Sequence, residues 1–275
     1  MPSLNRRRFI LAAALTPLLT VTPRAAAQNR VLGTVLDYSA GVPTGRAVKA
    51  AGHLGAVRYV SRRRPGAEWM HGKPVLAGET ADFAANGLST ASVYQYGRAE
   101  TADWLGGAAA AATHAPQAIA LHRAAGGPTG RPIYIAIDDN PTRAQYDNQI
   151  RPYLRSFSAA LGVAGYHTGV YGNYNVIQWC VEDGIGAFFW MHDWGSAGRI
   201  HPRAHIHQVG GRRITIEGIE CDVNDVYATD WGQWTPGAGT NLPVSPELIQ
   251  QAVQASSEAS SRLPVGQVVN GLLGQ

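Results

Sequence analysis

Residues 131–172 read RPIYIAIDDNPTRAQYDNQIRPYLRSFSAALGVAGYHTGVYG, and three patterns follow one another in that segment. RPIYIAID (131–138) is a short run of β-branched and aromatic residues that ends on acids. Thr142–Leu161 then sets apolar residues three or four apart, the spacing of one helix face, and Gly162 stands where a helix-closing glycine belongs. HTGVYG (167–172) is β-rich again. The same alternation continues outward. VLGTVLDYS (31–39), GAVRYVS (55–61) and STASVYQY (89–96) precede it, and AFFWMHDW (187–194), AHIHQVG (204–210) and ECDVND (220–225) follow. Thr44–His53, Ala77–Asn86, Trp104–Ala125 and Tyr174–Glu182 read as helices, with Gly87, Gly126 and Gly184 closing three of them. Eight strands alternating with helices over about 200 residues predict a single (β/α)₈ barrel of the TIM type, with all eight strands parallel. The last units are irregular, because only Gly195–Arg203 and a predicted hairpin, RRITIEG (212–218), separate the final three strands. An open doubly wound sheet is the alternative.

The ends of the chain read differently. Arg6-Arg7-Arg8-Phe9-Ile10 opens an apolar run to Val21, too short to span a bilayer, and Ala25-Ala26-Ala27 supplies a small-residue cleavage site. Residues 1–27 are therefore expected to be a twin-arginine signal peptide, with the export machinery as partner and a periplasmic, cell-wall or secreted destination. The whole chain carries a formal charge of +4. Residues 1–27 hold four arginines and no acid, so the remainder balances at 19 charges of each sign. That excludes the clustered basic surface of a nucleic-acid binder. No second apolar stretch predicts a membrane span in the mature protein. The two cysteines, Cys180 and Cys221, are too few for a disulfide framework. They fall on different sides of a barrel, so both are expected free and buried. Residues 31–234 form the expected barrel domain, and 235–275 read as a Pro/Gly/Ser linker followed by a low-complexity tail with a short helix.

The chemistry gathers where strands end. Asp37 closes strand one, Gln95 strand three, Asp138-Asp139 strand four and Tyr171 strand five. Strand six carries Trp190, His192 and Trp194, strand seven ends at His207-Gln208, and strand eight holds Asp222 and Asn224. The C-terminal strand ends of a (β/α)₈ barrel form its active-site face. Acids from strands one, four and eight would converge there with aromatic faces beside them. That pattern suits sugar chemistry, in which one carboxyl protonates the leaving oxygen and another stabilises or attacks the oxocarbenium ion. Read separately, each acid could equally cap a helix or make a turn, and Asp139-Asn140-Pro141 could be no more than a turn. No metal-ligand spacing occurs, and no cofactor motif is present.

LDYSAG (36–41), RYVSRRRPG (58–66), YQYG (94–97), TADWLGGA (101–108) and IDDNP (137–141) form one set of motifs with YGNYNVIQW (171–179), FFWMHDWGS (188–196) and HQV (207–209). Together they resemble the glycoside-hydrolase-like family of twin-arginine-exported actinobacterial proteins. That family is similar in structure to the Chalaropsis-type lysozymes, which cleave the muramic acid–glucosamine bond of peptidoglycan. The resemblance implies a cell-wall glycan as partner, with Asp138, Asp37, Asp222 and Asp139 as candidate catalytic residues. Strand-end position, with the resemblance at Tyr171, Asn140 and Asn224, makes Gln95, Tyr171, Trp190, His192, His207, Asn140 and Asn224 the candidate glycan-binding residues. Asp37 resembles the acid that opens the lysozyme pattern, Asp138 the first acid of its D-x-E, and Asp222-Val223-Asn224 its closing D-x-N. Tyr171 and Trp179 match the G-x-Y…W stretch. Asn140 stands where the lysozymes have their proton-donating Glu, and an amide has no proton to donate as an acid. Either Asp139 or another acid takes over, the substrate or mechanism differs, or the site only binds glycan.

Overall fold

The computed structural model describes residues 30–237 and 245–262. The expected signal peptide (1–27), most of the linker, and the end of the tail lie outside the described residues. Eight strands close a barrel in sequence order. They are β1 (Gly33–Asp37), β2 (Gly55–Tyr59), β3 (Ser89–Tyr94), β4 (Pro132–Ala136), β5 (His167–Gly172), β6 (Phe188–His192), β7 (Ile206–Ile216) and β8 (Ile219–Val226). Around it lie α1 (Gly45–Ala50), α2 (Ala77–Ala85), α3 (Gly107–Ala124), α4 (Arg143–Gln145), α5 (Arg151–Val163) and α6 (Tyr174–Glu182). A last helix, α7 (Pro246–Arg262), lays Ile249 and Val253 into the apolar layer beneath α3 and α5. Among the described residues, no helix is long and apolar enough to cross a membrane.

Strands β1 to β7 run parallel, as the alternation predicts. The expectation of eight parallel strands is corrected at the end. β8 runs antiparallel to both β7 and β1. The predicted hairpin is the cause, since Glu217 and Gly218 alone separate β7 from β8, both at positive φ (51° and 78°). A two-residue turn joins only antiparallel neighbours, whereas a parallel return needs a dozen or more residues. A second correction concerns Gly162, which lies inside α5. Gly165, at φ 80°, takes the left-handed position beyond that helix, as Gly87, Gly126 and Gly184 do beyond α2, α3 and α6.

Inward-facing side chains fill the barrel in layers. Val35, Val57, Ala91, Val93, Tyr134, Ala136, Tyr171 and Trp190 make one apolar cluster, closed below by Trp231. The chain after β8 swings under the barrel, where Trp234 bridges to Thr90 and the Trp231 carbonyl accepts the Tyr134 hydroxyl at 2.8 Å. Cys180 and Cys221 are free and buried, as expected.

The floor leaves no room at Gly169, where a Cβ would stand 2.6 Å from Cδ1 of the fully buried Tyr134 ring. Gly169→Ala should destabilise the fold by about 1–3 kcal/mol through overpacking. Tyr134→Leu in that background should recover part of the loss, measured as a coupling energy in denaturant melts. Additive effects would place the strain elsewhere.

Candidate active site

The antiparallel return of β8 builds the mouth of the barrel. It sets Asp222 directly across from Asp37, and opposed residues of an antiparallel pair hold their Cβ atoms about 4.5–5.5 Å apart. Asp138 arrives just beyond β4. All three carboxylates border one cavity of about 290 Å³, together with Tyr59, Gln95 and Tyr171. An adjoining lobe of about 270 Å³ shares the same three acids and opens toward the 60–76 segment.

Asp37 is 3% exposed. Its Oδ2 accepts hydrogen bonds from Asn224 Nδ2 at 2.8 Å and Gln208 Nε2 at 2.9 Å. Each amide is itself oriented. Trp190 Nε1 donates to Asn224 Oδ1 at 2.8 Å, and the Tyr171 hydroxyl donates to Gln208 Oε1 at 2.5 Å. Both amides spend their oxygens this way and turn their NH₂ groups to Asp37. Burial, and then the charge of Asp222, push the Asp37 carboxyl up to about 7, and the two amide bonds offset only part of that rise. Asp138 accepts Gln95 Nε2 at 3.0 Å. Asp222 accepts Arg213 Nε at 2.9 Å, and Arg213 also reaches Glu220 at 3.2 Å.

Besides the fully buried Asn224, four sequence candidates lie off the cavity wall. Asn140 turns away, its Oδ1 accepting Asn173 Nδ2 at 2.9 Å and packing over Gly195, where a Cβ would come within 2.0 Å of it. Asp139 accepts the backbone N–H of Asn140 at 2.9 Å. His192 lies buried behind the Tyr171 ring at 5.0 Å, and burial holds its imidazole below the ordinary range. His207 faces outward, with Nε2 2.6 Å from Asp193 Oδ1 and Nδ1 3.2 Å from the Tyr227 hydroxyl. Strand parity decides that last position, because Gln208, one residue on, faces in. Trp190 is 2% exposed and packed 4.3 Å from Tyr171, so it floors the cavity and orients Asn224, with no open face for a sugar. Trp194, 59% exposed, lies outside both lobes.

Other residues of the site carry no periodic signal. Arg58 sits on β2 with its side chain wholly buried outside the barrel. It binds Glu79 of α2 at 2.5 Å, the Gly72 carbonyl at 2.7 Å and the Tyr38 carbonyl, with the Tyr38 ring 3.9 Å from its guanidinium. Those contacts tie the exit of β1, the 60–76 segment and α2 together. The segment so held carries Lys73, whose Nζ donates to the Gln95 carbonyl at 2.9 Å and lies 3.9 Å over the Tyr59 ring. Burial, then Arg64, push the Lys73 ammonium down to about 7.

Among the described residues no group of three His, Cys, Asp or Glu stands together as a metal site would require. A buried acid beside two further carboxylates in a barrel mouth is suited to proton transfer at a glycosidic oxygen.

The chain is similar to known proteins in sequence and fold. The relative named "Putative peptidoglycan hydrolase Rv2525c", from Mycobacterium tuberculosis, is 49% identical over 240 residues, covering 84% of this chain and 99% of the relative. The crystal structure of the M. tuberculosis Tat-secreted protein Rv2525c, solved with L-tartrate, superposes with a TM-score of 0.71 at 52% identity, covering 74% of this chain and all of that one. A B. stearothermophilus protein shares the fold at 18% identity and a TM-score of 0.51, covering 70% of this chain and 95% of that one. The family described as Rv2525c-like, glycoside hydrolase-like domain matches residues 46–226, and the chain belongs to it.

Proposed function

We propose that the protein hydrolyses a glycosidic bond of peptidoglycan or a related cell-wall polysaccharide, with Asp37 as the proton donor. The observation that carries this reading is a buried carboxyl whose proton is held up to about 7, in one cavity with Asp138 and Asp222. Burial first, and then the charge of Asp222 across the strand pair, hold that proton on. As the glycosidic bond breaks, Asp37 gives its proton to the leaving oxygen and Asp138 faces the positive charge that develops on the sugar; water then bonds to the anomeric carbon, and the proton it gives up restores Asp37. In this reading the amide at Asn140 removes nothing from catalysis, because its side chain points to Asn173 and Asp139 is turned to the backbone. Export by the twin-arginine route, proposed from Arg6-Arg7-Arg8, fits the Tat-secreted relative and puts the protein beside such a glycan. Asn140 is also the observation that favours a second reading, glycan binding without hydrolysis.

Purified peptidoglycan incubated with the exported protein separates them, with new reducing ends read by mass spectrometry. Asp37→Asn and Asp138→Asn should each lower their release by roughly 10²–10⁴-fold, while Asp139→Asn and Asn140→Glu should change it less than about threefold. An Asn140→Glu variant that gains activity tenfold or more returns the donor to position 140. Intact peptidoglycan with the native protein, together with binding lost in Asp138→Ala, selects the binding reading.

The pH dependence carries a second test. Asp37 works only while protonated, and its raised pKa keeps the proton on up to about 7. The rate constant kcat/KM should therefore fall tenfold per pH unit above about 7. A limb near 4, or a flat profile to pH 9, contradicts Asp37 as donor.

A further inference from the structure

The outer lobe is unevenly charged. Its acids stand at the ends of β1, β4 and β8, while the opposite wall carries Arg64 and Lys73 from the 60–76 segment and Arg98 from the turn after β3. Arg213 also borders the lobe, but Asp222 and Glu220 already occupy it. Arg64 and Arg98 have no carboxylate partner among the described residues. Lys73 is 4% exposed and donates only to a backbone carbonyl. Arg64 lies close enough to Lys73 to repel it, and among the described residues neither Arg64 nor Arg98 has a carboxylate bound to its guanidinium. An anion entering between the two guanidinium groups would relieve that repulsion. Trp69, 54% exposed on the same rim, offers a flat apolar face beside the charge. Apolar face and fixed positive charge side by side match a sugar ring that bears an acidic group.

We propose that this lobe is a subsite for a carboxylate carried on the glycan, bound by Arg64 and Arg98 with Lys73 beneath it. The proposal rests on the glycan reading above and names the substituent next to the bond that is cut. A guanidinium fork matches carboxylate and phosphate alike. The three aspartates bordering the lobe favour the singly charged group, because a dianion would be repelled about twice as strongly.

The test uses the exported protein and glycan strands freed of their peptides, which keep a lactyl carboxylate on alternate sugars. Calorimetry compares these strands with the same strands converted to carboxamides. The carboxylate form should bind about tenfold more tightly in low salt, with the preference shrinking at 0.5 M salt as screening requires. Arg64→Gln and Arg98→Gln should each reduce that preference at least threefold, and the double variant should abolish it. Both residues lie in surface segments, so folding is checked by an unchanged melting temperature, and the packed Lys73 is left intact. Equal affinity for both strands overturns the subsite and leaves the glycan reading standing. Failure of both strands to bind removes the glycan reading itself. Tighter binding of strands bearing phosphate esters assigns the lobe to phosphate and overturns the carboxylate proposal.

Discussion

The pairing of β1 with β8 closes the barrel in the antiparallel sense, and the chemistry of the mouth depends on that direction. Were β8 parallel, its first residues would lie at the barrel floor, and Asp222 with them. Running backward, it delivers Asp222 opposite Asp37 and Asn224 beneath it, two residues further along the same inward face. Placing two carboxylates across one strand pair is unfavourable when both are ionised. The strain resolves as a proton retained on Asp37, the more buried of the two. The chain Trp190–Asn224–Asp37–Gln208–Tyr171 then fixes which oxygen is occupied by amide donors. Oδ2 takes both bonds, and Oδ1 is the oxygen left for a substrate.

A second constraint lies outside the barrel. Arg58 holds three backbone or carboxylate partners in a space closed to solvent, and its loss would leave Glu79 without a counter-charge and bonded to the Tyr38 hydroxyl alone, a change of about 3–5 kcal/mol. Through Gly72 it fixes the segment that carries Lys73 and Trp69 to the rim. The outer lobe is thus positioned by a buried ion pair, whereas strand ends and amide bonds position the inner cavity.

Much of this architecture was readable beforehand, for physical reasons. The change from a two-residue to a 3.6-residue apolar period marks each β–α junction, and Tyr174–Glu182 and HTGVYG fall where the structure has α6 and β5. Asp37 and Asp138 share the cavity because strand ends in this fold point at one space, whereas Asp222 reaches it from the start of a strand that runs backward. The direction of β8 was not read, since alternation looks the same from either end, although the short RRITIEG hairpin held the answer. His207 and Gln208 end the same strand, and strand parity turns Gln208 toward Asp37 and His207 away from it. The orientation of Asn140 depends on Gly195 and Asn173, 55 and 33 residues away in sequence, contacts that no local pattern reveals. Arg58, Lys73 and Trp69 escaped notice for a related reason. An arginine within a strand reads as solvated, and the 60–76 segment has no periodicity from which burial could be inferred.

The central claim is that the fold keeps a proton on Asp37 near neutrality. Carbon-13 NMR titration of the side-chain carboxyls, with Asp37 assigned by its loss in Asp37→Asn, measures this directly. The account predicts an Asp37 midpoint near 7, moving toward the ordinary aspartate value of about 3.9 when Asp222→Asn removes the opposing charge. A midpoint near 4 in the native protein, unchanged in Asp222→Asn, would contradict it.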